Sequence, residues 1–145
     1  MRCILAATDG SESANRAVDA AAQIAKRFDA KLLIVNAIDR GVLSTDEMKR
    51  FTEVEGMLLG EALTSLSSGI LRDAECQAKK HGLTNVQMES REGEAAQVVM
   101  EIVREKAVDA VVVGRRGRGQ LAGLLLGSIS QKLVTLTPCM VIVVP

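Results

Sequence analysis

Two kinds of apolar run alternate along the chain. Residues 2–8, RCILAAT, form a short apolar block closed by Asp9-Gly10, which reads as a strand followed by a turn. From Ser11 the spacing changes. Ala14, Ala17, Val18, Ala21, Ile24, Ala25 and Phe28 recur every three or four residues, predicting an amphipathic helix capped by Ser11 or Ser13. KLLIVNAI, from Lys31 to Ile38, is apolar on both faces, as in a strand covered by helices on both sides. Residues 39–47 are polar and irregular, a loop. A long helical pattern then carries Phe51, Val54, Leu58, Ala62, Leu66, Ile70, Ala74 and Ala78. Gly56, Gly60 and Ser67-Ser68-Gly69 weaken that helix and leave room for a kink or break. Val86 to Arg91 alternates apolar with polar, suiting a less buried strand near an edge. A further helix runs from Glu94 to Lys106, with Ala95, Val98, Val99, Ile102 and Val103 on one side. Asp109 to Val113 reads as a strand, Ser128 to Leu136 as a short helix stopped by Thr137-Pro138, and Cys139 to Val144 as the last strand.

The order βαβαβαβαβ predicts an α/β fold: one open, twisted, parallel five-stranded sheet with helices on both faces, Rossmann-like. No repeat, low-complexity segment or linker interrupts it, so residues 1–145 are expected to be one domain. Composition agrees, with 48% hydrophobic residues and 25% charged. Lys+Arg and Asp+Glu both number 18, leaving no overall field to attract nucleic acid or an anionic membrane. No apolar run reaches the length of a membrane span. The first residues turn polar too soon for a secretory signal. Cys3, Cys76 and Cys139 form no Cys-x-x-Cys pair and are expected to be reduced and structural, in a cytoplasmic protein. One histidine, His81 beside Gly82, reads as a helix-end residue and argues against a zinc site or a Ser-His-Asp triad. With no Trp or Tyr, no platform for stacking single-stranded nucleic acid exists.

One stretch asks for a ligand. After the apolar AVVV comes GRRGRGQLAGLLLGSIS, Gly114 to Ser130. Glycines let backbone N–H groups approach an anion closely, and Gly127-Ser128 opens a helix whose N–H groups and dipole favour negative charge. The residues describe a phosphate cradle in two halves, Gly114 to Gly119 and Gly127 to Ser130, with hydroxyls from Ser128 and Ser130. Arg115, Arg116 and Arg118 are the local basic patch; the bland alternative is a solvated loop. There is no Gly-Lys, hence no Walker A loop. GRGQLA fits a dinucleotide fingerprint only loosely and follows the fourth strand, not the first.

Gly114-x2-Gly117-x9-Gly127-Ser128 resembles the G-2x-G-9x-G-S/T signature of the universal stress protein family, in its nucleotide-binding branch. The resemblance covers the whole chain: Asp9 follows the first strand and VNAID, 35–39, ends the second. It implies a sheet order of 3-2-1-4-5 and a set of site residues. Thr8 and Asp9 border the adenosine, with Asp9 near the ribose, and Ala7 belongs to the binding set beside them. Ala37 offers its backbone to the adenine edge. Gly114 and Gly117 bring backbone against ribose and phosphates, and Gly119 belongs to the same binding loop. Gly127, Ser128, Ile129 and Ser130 hold the phosphate tail. Two departures stand out: Arg115-Arg116 replaces a small hydroxyl residue and a His, and Ala37 replaces a larger β-branched residue. Asp9 retains a simpler reading, as the cap of the first turn.

The resemblance implies an adenine-nucleotide-binding regulatory protein, taking ATP (or ADP or AMP), with Mg2+ held through the phosphates. No catalytic residue is assigned: His81 is remote and no carboxylate lies between Gly114 and Ser130, so binding or very slow turnover is expected. A slow ATPase, autophosphorylation on Ser128 or Ser130, and an interaction module with a vestigial loop stay open. The implied strand order leaves CMVIVV at an edge without Lys, Glu or internal Pro, which predicts pairing with a second copy in a two-fold homodimer. Proline at Ile142 is expected to split that dimer. An unidentified regulatory protein is a further expected partner; nucleic acid and membrane are not.

Overall fold

A computed structural model describes residues 1–40, 53–117 and 125–145, the side chains of 53–55 excepted. Among the described residues the elements are β1 (Cys3–Ala7), α1 (Glu12–Phe28), β2 (Lys31–Ile38), α2 (Glu53–Lys79), β3 (Val86–Glu92), α3 (Ala95–Glu105), β4 (Ala110–Gly114), α4 (Ser128–Leu136) and β5 (Met140–Val144). The strands form one parallel sheet in the order β3-β2-β1-β4-β5. The α/β class and the strand order are those expected.

Alternation along the strands sorts the core into two layers. Ile4, Ala6, Leu32, Ile34 and Val112 face α1 and α2, against Ala17, Val18, Ala21, Leu71 and Ala74. Leu5, Leu33, Val35, Val111 and Val113 face the other way, against Val99 and Ile102 of α3 and Leu133 of α4. The central strands are therefore apolar on both faces, with Lys31 and Asn36 of β2 the polar exceptions. Ser11 caps α1 by accepting from Ala14 N–H. Glu94 caps α3, accepting from the N–H groups of Ala96 and Gln97.

The long helix departs from its expected face. Leu58 and Leu66 are 59% and 51% exposed, and Ala62 is exposed too. The buried positions are Ser67, Leu71, Ala74 and Ala78. A strict four-residue repeat overshoots each turn by about 40°, so the stripe traced back from Ala78 leaves the sheet. The mixed three-and-four spacing stays on it. The helix also runs unbroken through its glycines and Ser67-Ser68. Phe51 lies outside the described residues. Burial pushes the Cys3 and Cys139 thiols up, which suits unreactive packing residues.

Candidate functional site

From β1 the chain steps outward to β2 and β3, then returns to build β4 and β5 on the other side. The loops after β1 and β4 therefore part at the carboxyl ends of adjacent strands, where open α/β sheets take their ligands.

The first loop is fastened by its own side chains. Gly10 N–H donates to Thr8 Oγ1 at 3.1 Å and Ser11 N–H to Asp9 Oδ1 at 2.9 Å. Gly10 sits at φ 77°, a conformation that favours glycine. The Asx-turn reading of Asp9 is thus present, and Ser11 N–H engages one oxygen of its carboxylate.

The second loop begins inside the sheet. Gly114 is buried and pairs with Val144. A Cβ on it would lie 2.8 Å from the carbonyl carbon and oxygen of Ser13. Its first role is to let the opening turn of α1 press against β4. Arg115 N–H donates to Val144 O at 2.6 Å, and Arg115 O accepts from Gly127 N–H at 2.8 Å. Ser130 Oγ donates to Arg115 O at 3.0 Å and also lies 2.9 Å from Gly127 O. Arg115 is therefore fastened to the start of α4. This was not foreseen: the Ser130 hydroxyl, 2% exposed, serves the clamp, and its single proton is taken up there.

Gly127 caps α4 at φ −68°, ψ 161°, which any residue adopts, so glycine is there for space. Its Cβ would meet Arg115 O and Arg116 Cα at 3.3 Å. Lacking a side chain, it makes no side-chain cap hydrogen bond, and the first N–H groups of Ser128, Ile129 and Ser130 have no intrahelical acceptor. Gly117 joins the two loops. A Cβ there would stand 2.7 Å from Asp9 Oδ2.

Ala37 comes to the same place by alternation. Val35 O accepts from Thr8 N–H, so the odd-numbered residues of β2 direct their backbone groups toward β1. At Ala37, β1 has already ended. Ala7, Ala37 and Ile129 turn their side chains into the core layer of α3 and α4, so each reaches the crevice through backbone. Arg115 is exposed and Arg116 half-buried. Arg118 and Gly119 lie outside the described residues.

Sequence reasoning missed four residues here. Asn36, Ser67 and Ser90 form a hydrogen-bonded chain ending on Thr8, and Ser13 Oγ is buried beside Gly114 with no partner among the described residues. The legible cue was one amide inside the apolar KLLIVNAI. His81 plays no part: its ring pairs with Asp19 at 2.9 Å. The cavity it lines with Gln23, Lys26 and Arg27 opens at the C-terminal turns of α1 and α2, where cations complement helix carbonyls. Among the described residues no cluster of three or more His, Cys, Asp or Glu suits a metal ion. No described helix is long and apolar enough to cross a membrane.

The family model that matches this chain is that of the universal stress protein family, over residues 1–145. The chain belongs to the universal stress protein family. It is 32% identical over 143 residues to universal stress protein YxiE of Bacillus subtilis (strain 168), covering 97% of each. It is 35% identical over 132 residues to universal stress protein Rv1636 of Mycobacterium tuberculosis (strain ATCC 25618 / H37Rv), covering 88% of this chain and 85% of that one. Among solved structures, a universal stress protein in complex with cAMP matches with TM-score 0.75 and 30% identity, over 99% of this chain and 95% of that chain. The universal stress protein UspA from Lactobacillus plantarum matches in fold, with TM-score 0.82 and 24% identity, over 99% and 97% of the two chains.

Proposed function

We propose that this universal stress protein binds an adenine nucleotide, ATP foremost, and acts through its nucleotide-bound state rather than by fast catalysis. The observation that carries the reading is the meeting of the two loops. Gly117 leaves room against the Asp9 carboxylate that a Cβ would fill, while glycine-capped α4 presents first-turn N–H groups with no intrahelical acceptor. A carboxylate beside an anion-favouring helix end suits a ligand with hydroxyls at one end and phosphates at the other. The relative solved with cAMP, 30% identical, carries an adenine nucleotide.

In this reading Asp9 accepts from ribose hydroxyls and Ala37 offers its main chain to the base. The N–H groups of Ser128, Ile129 and Ser130 receive the phosphates, and Arg115, Arg116 and Arg118 supply the positive charge that backbone dipoles lack. Arg118 and Gly119 enter by their place in the motif alone. Mg2+, when bound, is held by the phosphates and shields their charge. No carboxylate between Gly114 and Ser130 offers a base for hydrolysis. The protein is read as cytoplasmic, homodimeric through β5, and a signal to a regulatory protein partner.

The reading is tested by denaturing the purified protein and identifying released small molecules by mass spectrometry. An adenine nucleotide in near-stoichiometric amount is expected. No trapped nucleotide, together with no calorimetric response to ATP, ADP or AMP, would overturn it.

A further inference from the structure

A parallel ladder that begins with Thr8 N–H donating to Val35 O would continue with Ala37 N–H donating to Thr8 O. The chain makes the first of these bonds and replaces the second. Asn36 Nδ2 takes the Thr8 carbonyl instead, at 2.7 Å. Thr8 and Asn36 are each 6% exposed, so the substitution takes place inside the protein.

The direction of every hydrogen bond behind Asn36 follows from that one carbonyl. A carbonyl only accepts, so the Asn36 nitrogen must face Thr8 and its Oδ1 must face Ser67. Ser67 Oγ lies 2.6 Å from that oxygen and spends its single proton on it. The 2.8 Å contact between Ser67 and Ser90 is then donated by Ser90. The proton order runs from exposed Ser90 on the edge strand, through buried Ser67 on α2, to Asn36 and the end of β1. Asn36 and Ser90 are register partners on neighbouring strands, and Ser67 closes over both from the helix above.

We infer that Asn36, held by Ser67 and Ser90, is a positioning residue: it ends the β1–β2 ladder early, which aims Asp9 into the crevice and keeps the Ala37 main chain available to a ligand. This rests on the nucleotide reading of Asp9 and Ala37 and adds the residues that prepare them. Remove the Asn36 amide, and Ala37 N–H is the nearest donor for the Thr8 carbonyl. The ladder gains a rung, the turn is drawn toward β2, and the base-facing N–H is consumed.

The first arm of the test needs no ligand. Amide hydrogen exchange by NMR on nucleotide-free protein is expected to find Ala37 N–H fast in the parent and slowed at least tenfold in Asn36→Ala. The second arm is calorimetry with adenosine on Asn36→Ala, Ser67→Ala, Asp9→Ala and the Asn36→Ala/Asp9→Ala double variant. Expected are losses of at least tenfold for Asn36→Ala and two- to fivefold for Ser67→Ala, and a double variant weaker than Asp9→Ala by less than the full Asn36→Ala loss, because only the Ala37 share of that loss remains once Asp9 is gone. Ser67→Ala keeps the test open if Asn36→Ala fails to fold, and Ser67→Thr, which retains the hydroxyl, should restore parental affinity. Asp9→Ala weakening adenosine while Asn36→Ala and Ser67→Ala do not would refute the positioning role and leave the nucleotide reading intact. Additive losses would refute action through Asp9. Parental affinity in Asp9→Ala would remove the reading on which the inference stands, whatever the Ala37 exchange rate.

Discussion

Gly114 and Gly117, which look equivalent in the motif, do separate jobs. Gly114 is a packing glycine, with backbone of Ser13 where its Cβ would be. Backbone cannot step aside as a side-chain tip can, so Gly114→Ala should lower stability by about 1–3 kcal/mol, the cost of overpacking a core. Gly117 faces the movable end of Asp9, so its alanine variant should melt near the parent, within about 0.5 kcal/mol, yet bind nucleotide more weakly. Thermal denaturation without ligand, set beside ATP calorimetry, separates the two. Equal melting temperatures for both alanine variants would show that α1 does not press on Gly114 as described. The motif spacing was legible in the sequence because it is local. The distribution of these roles was not, since Gly114 meets Ser13 and Gly117 meets Asp9 only after β1 and β4 are paired. Ser130 is the same case: its hydroxyl reads as a phosphate ligand until Arg115 O is found beside it.

Among the elements, strands and helices were legible because period-two and three-to-four patterns survive in a short window. The face of α2 was misread because a four-residue repeat mimics a stripe over two turns and drifts over seven. Asn36 was read only as part of a buried strand, since its partners sit 28, 31 and 54 residues away at Thr8, Ser67 and Ser90. One contact ties an element down through charge. The Asp109 carboxylate, at the mouth of β4, accepts from the N–H groups of Arg2 and Cys3, which hold it below the usual aspartate range. A depressed folded-state value means the contribution is complete above the unfolded value of about 3.9 and is lost as pH falls through the folded value. Asp109→Asn should therefore melt below the parent at pH 7, with the gap closing as pH drops under about 4. A gap that persists unchanged at pH 2.5 would mean the carboxylate's charge is not what fastens β1 to β4.

At the scale of the whole molecule, the two sheet edges differ. Along β3, Arg91 pairs with Glu89 and Glu105, and Lys106 reaches Glu89 at 3.0 Å. Burial alone would raise Glu89, but hydrogen bonds from Lys106 and Arg91 hold it below the usual carboxylate range. That charge guards one edge; β5, MVIVV, has no such guard. Val144 O accepts from Arg115 N–H, so even-numbered residues of β5 serve β4 and the outward groups belong to Val141 and Val143. The dimer-splitting variant is accordingly Val143→Pro. Proline at Ile142, the choice suggested by sequence alone, would break the chain's own ladder. Light scattering should find the parent a dimer at micromolar concentration and Val143→Pro a folded monomer; a monomeric parent would remove the β5 dimer. The central claim, that two loops at the β1–β4 reversal form a nucleotide cradle, is met most directly by titrating ATP into nucleotide-free parent and Gly117→Val. Saturable binding to the parent and near-complete loss in a variant that melts within a few degrees of it is the predicted result. A Gly117→Val protein that folds and binds ATP as the parent does would contradict the account.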